Sequence, residues 1–339
     1  MTSLSRSLVV DRPGQHRLAT APLPEPGPGE VRVRVAAAGI CMSDREVYDG
    51  HRDADYVRYP VVPGHEWSGT VDAVGEGVDP ALTGRRTVAE GFRSCGRCER
   101  CRSGETSLCT AGYDETGFTR PGAFADHVVV PARLLHLLSD DADLRAAALL
   151  EPAAVVAAAV RAGAPEPGER VAVVGAGTLG LLAVQLLAAV SPGELTVIDP
   201  REERAALALE FGASDTRTPE QAEEARGGYD LVVETAGAAT TAADACLLAR
   251  RGGRVVLTGM FTPGAVGIDP VHLSLSQLTV RSVFGASSSA WSYAVRAFTA
   301  GLLDPAPLIT HEFPLERFAE AVALVGAGGP ETGKVLLRP

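Results

Sequence analysis

A thiol, an imidazole and a carboxylate are spaced in this sequence so that they could hold one metal ion. Cys41 lies in the segment Gly-Ile-Cys-Met-Ser-Asp, and His65 and Glu66 are adjacent in Pro-Gly-His-Glu-Trp-Ser-Gly. Sulfur, imidazole nitrogen and carboxylate oxygen are the ligand atoms that zinc takes in proteins. A Gly-His-Glu sequence also occurs as an ordinary turn with two solvated side chains, so the rest of the chain must decide between these interpretations.

Four further cysteines follow with the spacing C-x2-C-x2-C-x7-C: Cys95, Cys98, Cys101 and Cys109. This spacing is typical of a closed tetrahedral zinc site. A bacterial iron–sulfur cluster has a shorter last gap and a proline after the fourth cysteine. Disulfides are not expected in a long chain without a signal-peptide sequence. We therefore predict a structural zinc lobe at about residues 92–112. The sixth cysteine, Cys246, follows a helical apolar pattern and is predicted to lie in the core.

The segment from residue 170 to residue 199 has the pattern of a dinucleotide-binding unit. A β-branched strand precedes Gly-Ala-Gly-Thr-Leu-Gly, an apolar helix follows, and a second strand ends at Asp199. The three glycines of such units permit a tight turn, close approach of the pyrophosphate and helix–strand packing. We predict an NAD site formed by these residues: Gly175, Gly177, Thr178, Leu179, Gly180, Asp199, Arg204 and Gly259. NAD is favoured because Asp199 would repel a 2′-phosphate, but Arg201 and Arg204 leave NADP open as an alternative.

Two sets of elements must position these residues. Up to residue 154, short apolar or alternating segments separated by turns predict strands. From residue 155, strands alternate with helices, which indicates a doubly wound parallel sheet. Glu151 opens the apolar helix at this junction. Its carboxylate either favours the helix dipole or points into the site between the domains.

Bulk properties exclude several classes of function. A length of 339 residues predicts two domains, and a net charge of −11 disfavours nucleic acid as a partner. No apolar run reaches the ~18 residues of a membrane span. Together with the missing signal sequence, this predicts no membrane partner and a cytoplasmic location. Lys334 is the only lysine, which argues against Schiff-base chemistry.

Taken together, the motifs resemble the zinc-containing alcohol dehydrogenases of the medium-chain dehydrogenase/reductase superfamily. The motif G-H-E-x2-G-x5-G-x2-V at 64–78, the four-cysteine lobe, the pair Glu151-Pro152 and the glycines at 175–180 follow in that family's order. The resemblance implies an α/β protein in which residues 1–154 form a GroES-like, mostly β catalytic domain. Residues 155–287 would form a Rossmann domain, and residues 288–339 would return to the catalytic domain. It also implies a homo-dimer or homo-tetramer.

The resemblance implies a role for each residue of the metal motif. Cys41 and His65 would bind a catalytic zinc. Glu66 and Glu151 would supply the third ligand and a ligand or partner of the bound water, in an order that the sequence leaves open. One catalytic and one structural zinc per chain are therefore expected.

Residues around this zinc are also assigned by resemblance. Asp44 would fix the tautomer of His65, and Ser43 would bond the substrate hydroxyl. Members of the polyol branch often carry a histidine two residues after the aspartate of this motif. This chain has Glu46 there, which leaves the proton route beyond Ser43 open.

The substrate class is indicated by finer similarities. Cys-Met-Ser-Asp, Gly-His-Glu and Glu-Pro are similar to the polyol branch. Residues 117–122 and 59–69 also resemble aminocyclitol dehydrogenases of aminoglycoside antibiotic pathways. We expect reversible NAD-dependent oxidation of a secondary hydroxyl of a polyol, aminocyclitol or amino sugar to the ketone.

Several alternatives stay open. One is a threonine-type or simple-alcohol dehydrogenase of the same family. Another, from a different class, is a non-catalytic NAD-binding protein, which the presence of Cys41, His65 and Glu66 disfavours. Four acids in the loops either hold a substrate ammonium group or face water: Asp53, Asp55, Asp114 and Glu115.

Overall fold

Strands predominate in one of the two compact units into which the chain folds. The computed structural model describes residues 4–261, 264–327, 329 and 331–339. The first unit comprises Met1–Glu151, Ser287–Val295 and Pro305–Pro339, and the second comprises Pro152–Ala286 and Arg296–Asp304. The C-terminal segment therefore returns to the first unit except for residues 296–304.

Strands and helices follow one another along the described part of the chain. The strands are β1 (Leu4–Arg12), β2 (Gln15–Pro22), β3 (Glu30–Ile40), β4 (Glu66–Val74), β5 (Arg86–Ala89), β6 (His127–Pro131), β7 (Leu135–Leu137), β8 (Arg170–Val174), β9 (Glu194–Ile198), β10 (Asp215–Arg217), β11 (Tyr229–Glu234), β12 (Ala249–Leu257), β13 (Thr279–Ser282), β14 (Ile309–Pro314) and β15 (Lys334–Arg338). The helices are α1 (Met42–Asp49), α2 (Glu99–Arg102), α3 (Leu144–Ala147), α4 (Leu150–Gly163), α5 (Thr178–Ala188), α6 (Glu202–Glu210), α7 (Pro219–Ala222), α8 (Thr241–Leu248), α9 (Pro270–Ser276), α10 (Ser288–Thr299) and α11 (Phe318–Ala327).

The first unit is built on a seven-stranded sheet in the order β14-β15-β3-β4-β5-β7, with β6 also paired to β3. The long strand β3 is central because its valines alternate toward a core that also contains Trp67, Phe124 and Phe318. The last strand of the chain, β15, pairs with the end of β3 that precedes Cys41. The strand that closes the chain is therefore a neighbour of the metal motif.

The second unit is a six-stranded sheet in the order β10-β9-β8-β11-β12-β13, in which every pair is parallel. Val171 to Val174 on β8 are buried, as expected for a parallel strand covered on both faces. The chain order of the strands reverses between β8 and β11. In sheets of this kind the carboxyl ends of the strands at that point form the ligand site.

The doubly wound sheet predicted from residue 155 onward and the mostly β part before it are both observed. Among the described residues, no helix combines the length and the apolar character that a membrane crossing needs.

Candidate active site

Three ligand groups meet where β3 ends and β4 begins. The two strands are antiparallel neighbours with Gly39 opposite Glu66, so Cys41 just after β3 lies beside His65 just before β4. The sulfur of Cys41, a ring nitrogen of His65 and a carboxylate oxygen of Glu66 lie within 4.8 Å of one another. Thiolate, imidazole and carboxylate together form a donor set that suits zinc.

Asp44 connects the two chain segments that carry these groups. The carboxylate is fully buried; its Oδ2 accepts a hydrogen bond from the backbone N–H of Cys41 at 2.9 Å, and its Oδ1 accepts one from Gly64 at 3.2 Å. Oδ1 also lies 3.4 Å from Nδ1 of His65, although this pair lacks the alignment of a hydrogen bond. Asp44 therefore faces Nδ1 and leaves Nε2 of His65 available to an ion.

The electrostatic environment of His65 favours a cation. Burial by itself lowers the pKa of His65, but the nearby charges of Asp44 and Cys41 outweigh it and raise the pKa well above its ordinary value. A site that stabilises a positive imidazolium has a negative potential, and that potential also favours a divalent ion.

Glu151 is the second residue of α4 and is not among the three converging groups. Burial raises its pKa most, and the carboxylates of Glu66 and Glu115 raise it further, to about 8, although His65 acts in the opposite direction. The structure thus groups Glu66, rather than Glu151, with Cys41 and His65 and places Glu151 nearby as a carboxyl group that holds its proton at neutral pH.

A basic residue that sequence reasoning had not linked to the site completes it. The Nζ of Lys334 forms an ion pair with Oε2 of Glu66, and both side chains are buried. Burial lowers the pKa of Lys334, but Glu66 and Cys41 outweigh it and raise the pKa above its ordinary value. A lysine is almost never buried without a partner. In the sequence, the one feature that set Lys334 apart was that it is the only lysine.

Ser43, on the first turn of α1, is half-buried, and no hydrogen bond to its hydroxyl is found among the described residues. This leaves the hydroxyl available to a substrate. Glu46, at the position where the polyol branch has a histidine, lies with its Oε2 3.7 Å from an Nη of Arg52.

A group of aromatic and charged side chains packs beside His65. The ring of Phe118 lies 4.8 Å from that of His65, and the guanidinium of Arg52 lies 4.0 Å above the Phe118 ring. Arg52 donates a hydrogen bond to the hydroxyl of Tyr113 at 3.0 Å, and this hydroxyl donates to Oε2 of Glu115. Glu115 is only 5% exposed, and burial raises its pKa.

The other three loop acids differ from Glu115. Asp53 and Asp55 are exposed, and Asp114 pairs with Arg120 at 2.9 Å. Of the four acids considered from the sequence, only Glu115 is a buried carboxylate beside the metal motif.

The four cysteines of the lobe also converge. Their sulfur atoms lie within 4.8 Å of one another, those of Cys95 and Cys101 are 4.0 Å apart, and all four cysteines are free of disulfides. Backbone N–H groups of Thr110 and Cys101 lower the pKa of Cys98 to about 5, while burial raises the pKa of Cys101 to about 11. Backbone dipoles aimed at sulfur stabilise thiolates, the form that binds zinc.

Cys246 lies apart from both groups of sulfur ligands. It is buried in the apolar core of the second unit, on α8.

The glycine turn of the second unit has the geometry of a phosphate-binding loop. Gly175 has φ 103°, a left-handed value that favours glycine. A Cβ on Gly180 would meet the carbonyl of Gly175, so the third glycine allows α5 to pack on the turn. A Cβ on Gly177 would meet nothing within 4 Å, which leaves open space at the start of α5, where Thr178 and Leu179 form the first turn.

Asp199 is 3% exposed at the end of β9 and binds the glycine turn. Its Oδ2 accepts a hydrogen bond from the N–H of Ala176 at 2.6 Å, and both oxygens accept from Arg201. Burial alone raises the pKa of Asp199, but the bonds from Arg201 and Ala176 outweigh it and lower the pKa below its ordinary range. Arg204 is also buried, and no partner for its Nε is found among the described residues.

A cavity of about 470 Å³ opens beside this acid and is lined by Gly175, Asp199, Arg201, Glu223, Ala236 and Thr241, among others. Sequence reasoning missed a residue that holds two of these lining residues, Ala236 and Thr241, in place. Glu234, fully buried at the end of β11, accepts hydrogen bonds from the N–H groups of Ala236 and Gly237 and from the hydroxyl of Thr241, each at 2.8 Å. Gly259 packs against Glu234, because a Cβ there would lie 2.7 Å from its Oε2.

Two family models match the chain. The model described as "Alcohol dehydrogenase GroES-like domain" matches residues 27–140. The model described as "Zinc-binding dehydrogenase" matches residues 178–300.

Known proteins similar to this chain cover it almost completely. An L-threonine 3-dehydrogenase of Bacillus subtilis (strain 168) is 32% identical over 95% of this chain and 94% of its own length. The crystal structure of a short chain alcohol dehydrogenase from E. coli CFT073, complexed with the cofactor NADH, has a TM-score of 0.92 and 31% identity over 99% of this chain and 100% of that one. Galactitol-1-phosphate dehydrogenase from Escherichia coli has a TM-score of 0.87 and 32% identity over 98% and 100%.

These comparisons confirm the α/β fold class predicted from the sequence, with a GroES-like unit and a Rossmann unit.

Proposed function

Because this chain belongs to the zinc-containing alcohol dehydrogenase family of the medium-chain dehydrogenase/reductase superfamily, we propose that it oxidises a secondary hydroxyl group to a ketone with NAD, reversibly. The observation that carries this proposal is the convergence of Cys41, His65 and Glu66 in a chain that also has a dinucleotide-binding turn. A non-catalytic NAD-binding protein would have no use for a thiol, a buried imidazole and a buried carboxylate at one point.

Each cofactor has a proposed set of residues. Cys41, His65 and Glu66 hold the catalytic zinc, with Glu151 beside it, and the four lobe cysteines hold the structural zinc. The NAD site consists of the residues predicted from the sequence, from Gly175 to Gly180 with Asp199, Arg204 and Gly259. Residues 1–154 and 288–339 are the proposed catalytic domain, and residues 155–287 are the proposed NAD domain.

The residues around the metal have distinct tasks in this proposal. When bound, zinc supplies a Lewis acid for the substrate oxygen and NAD supplies the hydride acceptor. Asp44 fixes the ring of His65, and Ser43 holds the proton of the substrate hydroxyl at its Oγ. Glu151, whose pKa is raised by burial in the metal-free chain, is the carboxyl group placed to exchange a proton beside the three ligands.

We propose a polyol, an aminocyclitol or an amino sugar as the substrate. Glu115 supports the amino-bearing members of this class, because a buried carboxylate beside the reaction centre offers a partner for an ammonium group. The relative named galactitol-1-phosphate dehydrogenase supports a polyol derivative, and the relative named L-threonine 3-dehydrogenase supports an amino acid as the second candidate. The carboxylate of an amino acid would meet the acidic side chain of Glu115, which disfavours it.

A substrate panel followed by NADH absorbance tests this proposal. Aminocyclitols and amino sugars should have a higher kcat/KM than the corresponding polyols, and threonine and ethanol should react more slowly. Glu115→Gln should reduce the preference for the amino compound by about 10-fold or more, as expected when a charged hydrogen bond is lost. Asp114→Asn removes a neighbouring acid that already pairs with Arg120 and should leave the preference unchanged. Faster turnover of threonine than of every cyclic substrate would favour the second candidate.

The biological setting is also a proposal. A step in aminoglycoside antibiotic biosynthesis in the cytoplasm, carried out by a homo-dimer or homo-tetramer, agrees with the resemblance of residues 117–122 to aminocyclitol dehydrogenases. The genes beside this one would test the pathway, and light scattering would test the oligomeric state.

A further inference from the structure

The only lysine of the chain is also one of its buried charges. Lysine and arginine together number 31 in the sequence, and all of these except Lys334 are arginines. The side chain of Lys334 is 7% exposed, and that of its partner Glu66 is 1% exposed. A buried ion pair is seldom more stabilising than apolar residues of similar volume, so stability alone does not explain this pair.

The register of three adjacent strands explains how the pair forms. Leu336 on β15 is opposite Gly39 on β3, and Gly39 is opposite Glu66 on β4. Residues directly opposite each other share a face of the sheet, and so do alternate residues of one strand. Lys334 therefore lies on the same face as Glu66, and its side chain reaches Glu66 across β3 at Gly39.

Gly39 provides the space for this crossing. A Cβ at this position would lie 2.9 Å from Cε of Lys334 and would collide with Oε2 of Glu66. The backbone conformation at Gly39 does not require a glycine, because its φ is not positive. Its missing side chain is therefore what allows the ammonium group and the carboxylate to meet.

We propose that Lys334 is a positioning residue that binds one oxygen of the Glu66 carboxylate and leaves only the other for the catalytic metal ion, and this rests on the metal centre proposed above. Glu66 contacts Lys334 through Oε2, so Oε1 is the oxygen that remains. A glutamate bound through both oxygens would fill the position that catalytic zinc sites keep for the substrate. Lys334 keeps that position open by occupying one of the two oxygens.

A purely structural role, in which the pair only joins β15 to β4, makes different predictions. It predicts that removing Lys334 weakens metal binding and lowers stability without altering the coordination of the ion. The positioning role predicts a changed coordination of the ion, because both oxygens of Glu66 can then bind it. The ion should then be lost more slowly to a chelator. A measurement on the metal itself separates the two roles.

Cobalt(II) in place of zinc provides this measurement, because four-coordinate cobalt absorbs visible light more strongly than five- or six-coordinate cobalt. The spectrum of cobalt in the cysteine lobe, recorded on His65→Ala, is subtracted from that of each full-length variant. In Lys334→Met we expect loss of the strong four-coordinate absorption and slower removal of cobalt by a chelator. Lys334→Arg, which keeps a cationic donor, should restore the wild-type spectrum.

Arg338→Met is the matched control, because it removes a cation from the same strand whose partner is Glu312, away from the site. Its spectrum should equal that of the wild type. If Lys334→Met does not fold, Gly39→Ala replaces it, since the added methyl group displaces the pair while both charges remain. A wild-type spectrum in Lys334→Met or Gly39→Ala, or an arginine variant that behaves like the methionine one, would overturn the positioning role. A wild type that binds metal only in the lobe would instead refute the proposed function.

Discussion

Arg201 binds both carboxylate oxygens of Asp199, with its Nη2 2.8 Å from Oδ2 and its Nε 2.8 Å from Oδ1. The acid expected to select NAD is therefore already paired with a cation two residues later. The pair lines the cavity beside the glycine turn, so both charges lie where the ribose of the cofactor would bind.

This pairing makes the cofactor preference depend on Asp199. Asp199→Ala should reduce the ratio of kcat/KM for NAD to that for NADP by about 10- to 100-fold, because the repulsive charge is removed and Arg201 becomes available to a 2′-phosphate. Asp215→Ala is the control, since Asp215 forms the same i,i+2 pair with Arg217 on the neighbouring strand β10. A wild-type enzyme that already prefers NADP would contradict the assignment of Asp199.

Removing a catalytic ligand should separate metal binding from cofactor binding. Cys41→Ser and His65→Ala should each lose about one of two metal ions per chain by elemental analysis. Turnover should fall by at least about 10³-fold, because a metal Lewis acid contributes several kcal/mol to the transition state. NADH binding, followed by fluorescence, should persist. The exposed His51→Ala serves as the control, and normal turnover without the metal would exclude zinc from the reaction.

The cysteine lobe should depend on its own ion. Cys98→Ser removes the thiol whose pKa is about 5, so one metal ion should be lost and the segment around α2 should become open to trypsin at its arginines. Thermal unfolding should shift down by several degrees. Cys246→Ala, in the core of the second unit, should keep both ions. Full metal content in Cys98→Ser would mean that the lobe does not hold zinc.

Glu151 should make the metal-free protein less stable as the pH rises. The pKa of Glu151 is about 8 in the folded chain, against an ordinary value of 4.5. Between these two values the folded state binds more protons than the unfolded state, so the contribution present at low pH is lost as the pH rises toward 8. In Glu151→Gln, urea denaturation should show a weaker dependence on pH over this window. Glu210→Gln, on an exposed position of α6, should behave like the wild type, and an unchanged slope in Glu151→Gln would show that its pKa is ordinary.

The fold and the convergence of the metal ligands were accessible from the sequence because both depend on local patterns. The run from 170 to 199 combines strand, glycine turn, helix and acid within one unit, and the four lobe cysteines lie close along the chain. Cys41 and His65 are farther apart, but each is fixed by the end of a strand in one antiparallel pair.

What the sequence did not reveal depends on pairs that are distant along the chain. The contact between Lys334 and Glu66 exists only because β15 lies beside β3, a pairing that no local pattern encodes. Which of Glu66 and Glu151 lies with Cys41 and His65 also depends on contacts between distant segments. The link from Arg52 through Tyr113 to Glu115 joins two loops whose side-chain directions are set by packing.

The position of β15 between β14 and β3 has a consequence for synthesis on the ribosome. The Rossmann sheet can assemble as soon as β13 has emerged, but the sheet that carries the metal ligands lacks an inner strand until β15 has been made. A nascent chain interrupted before β15 would therefore carry a finished nucleotide fold and an exposed edge on β3, a species prone to self-association and a natural target for chaperones and proteases.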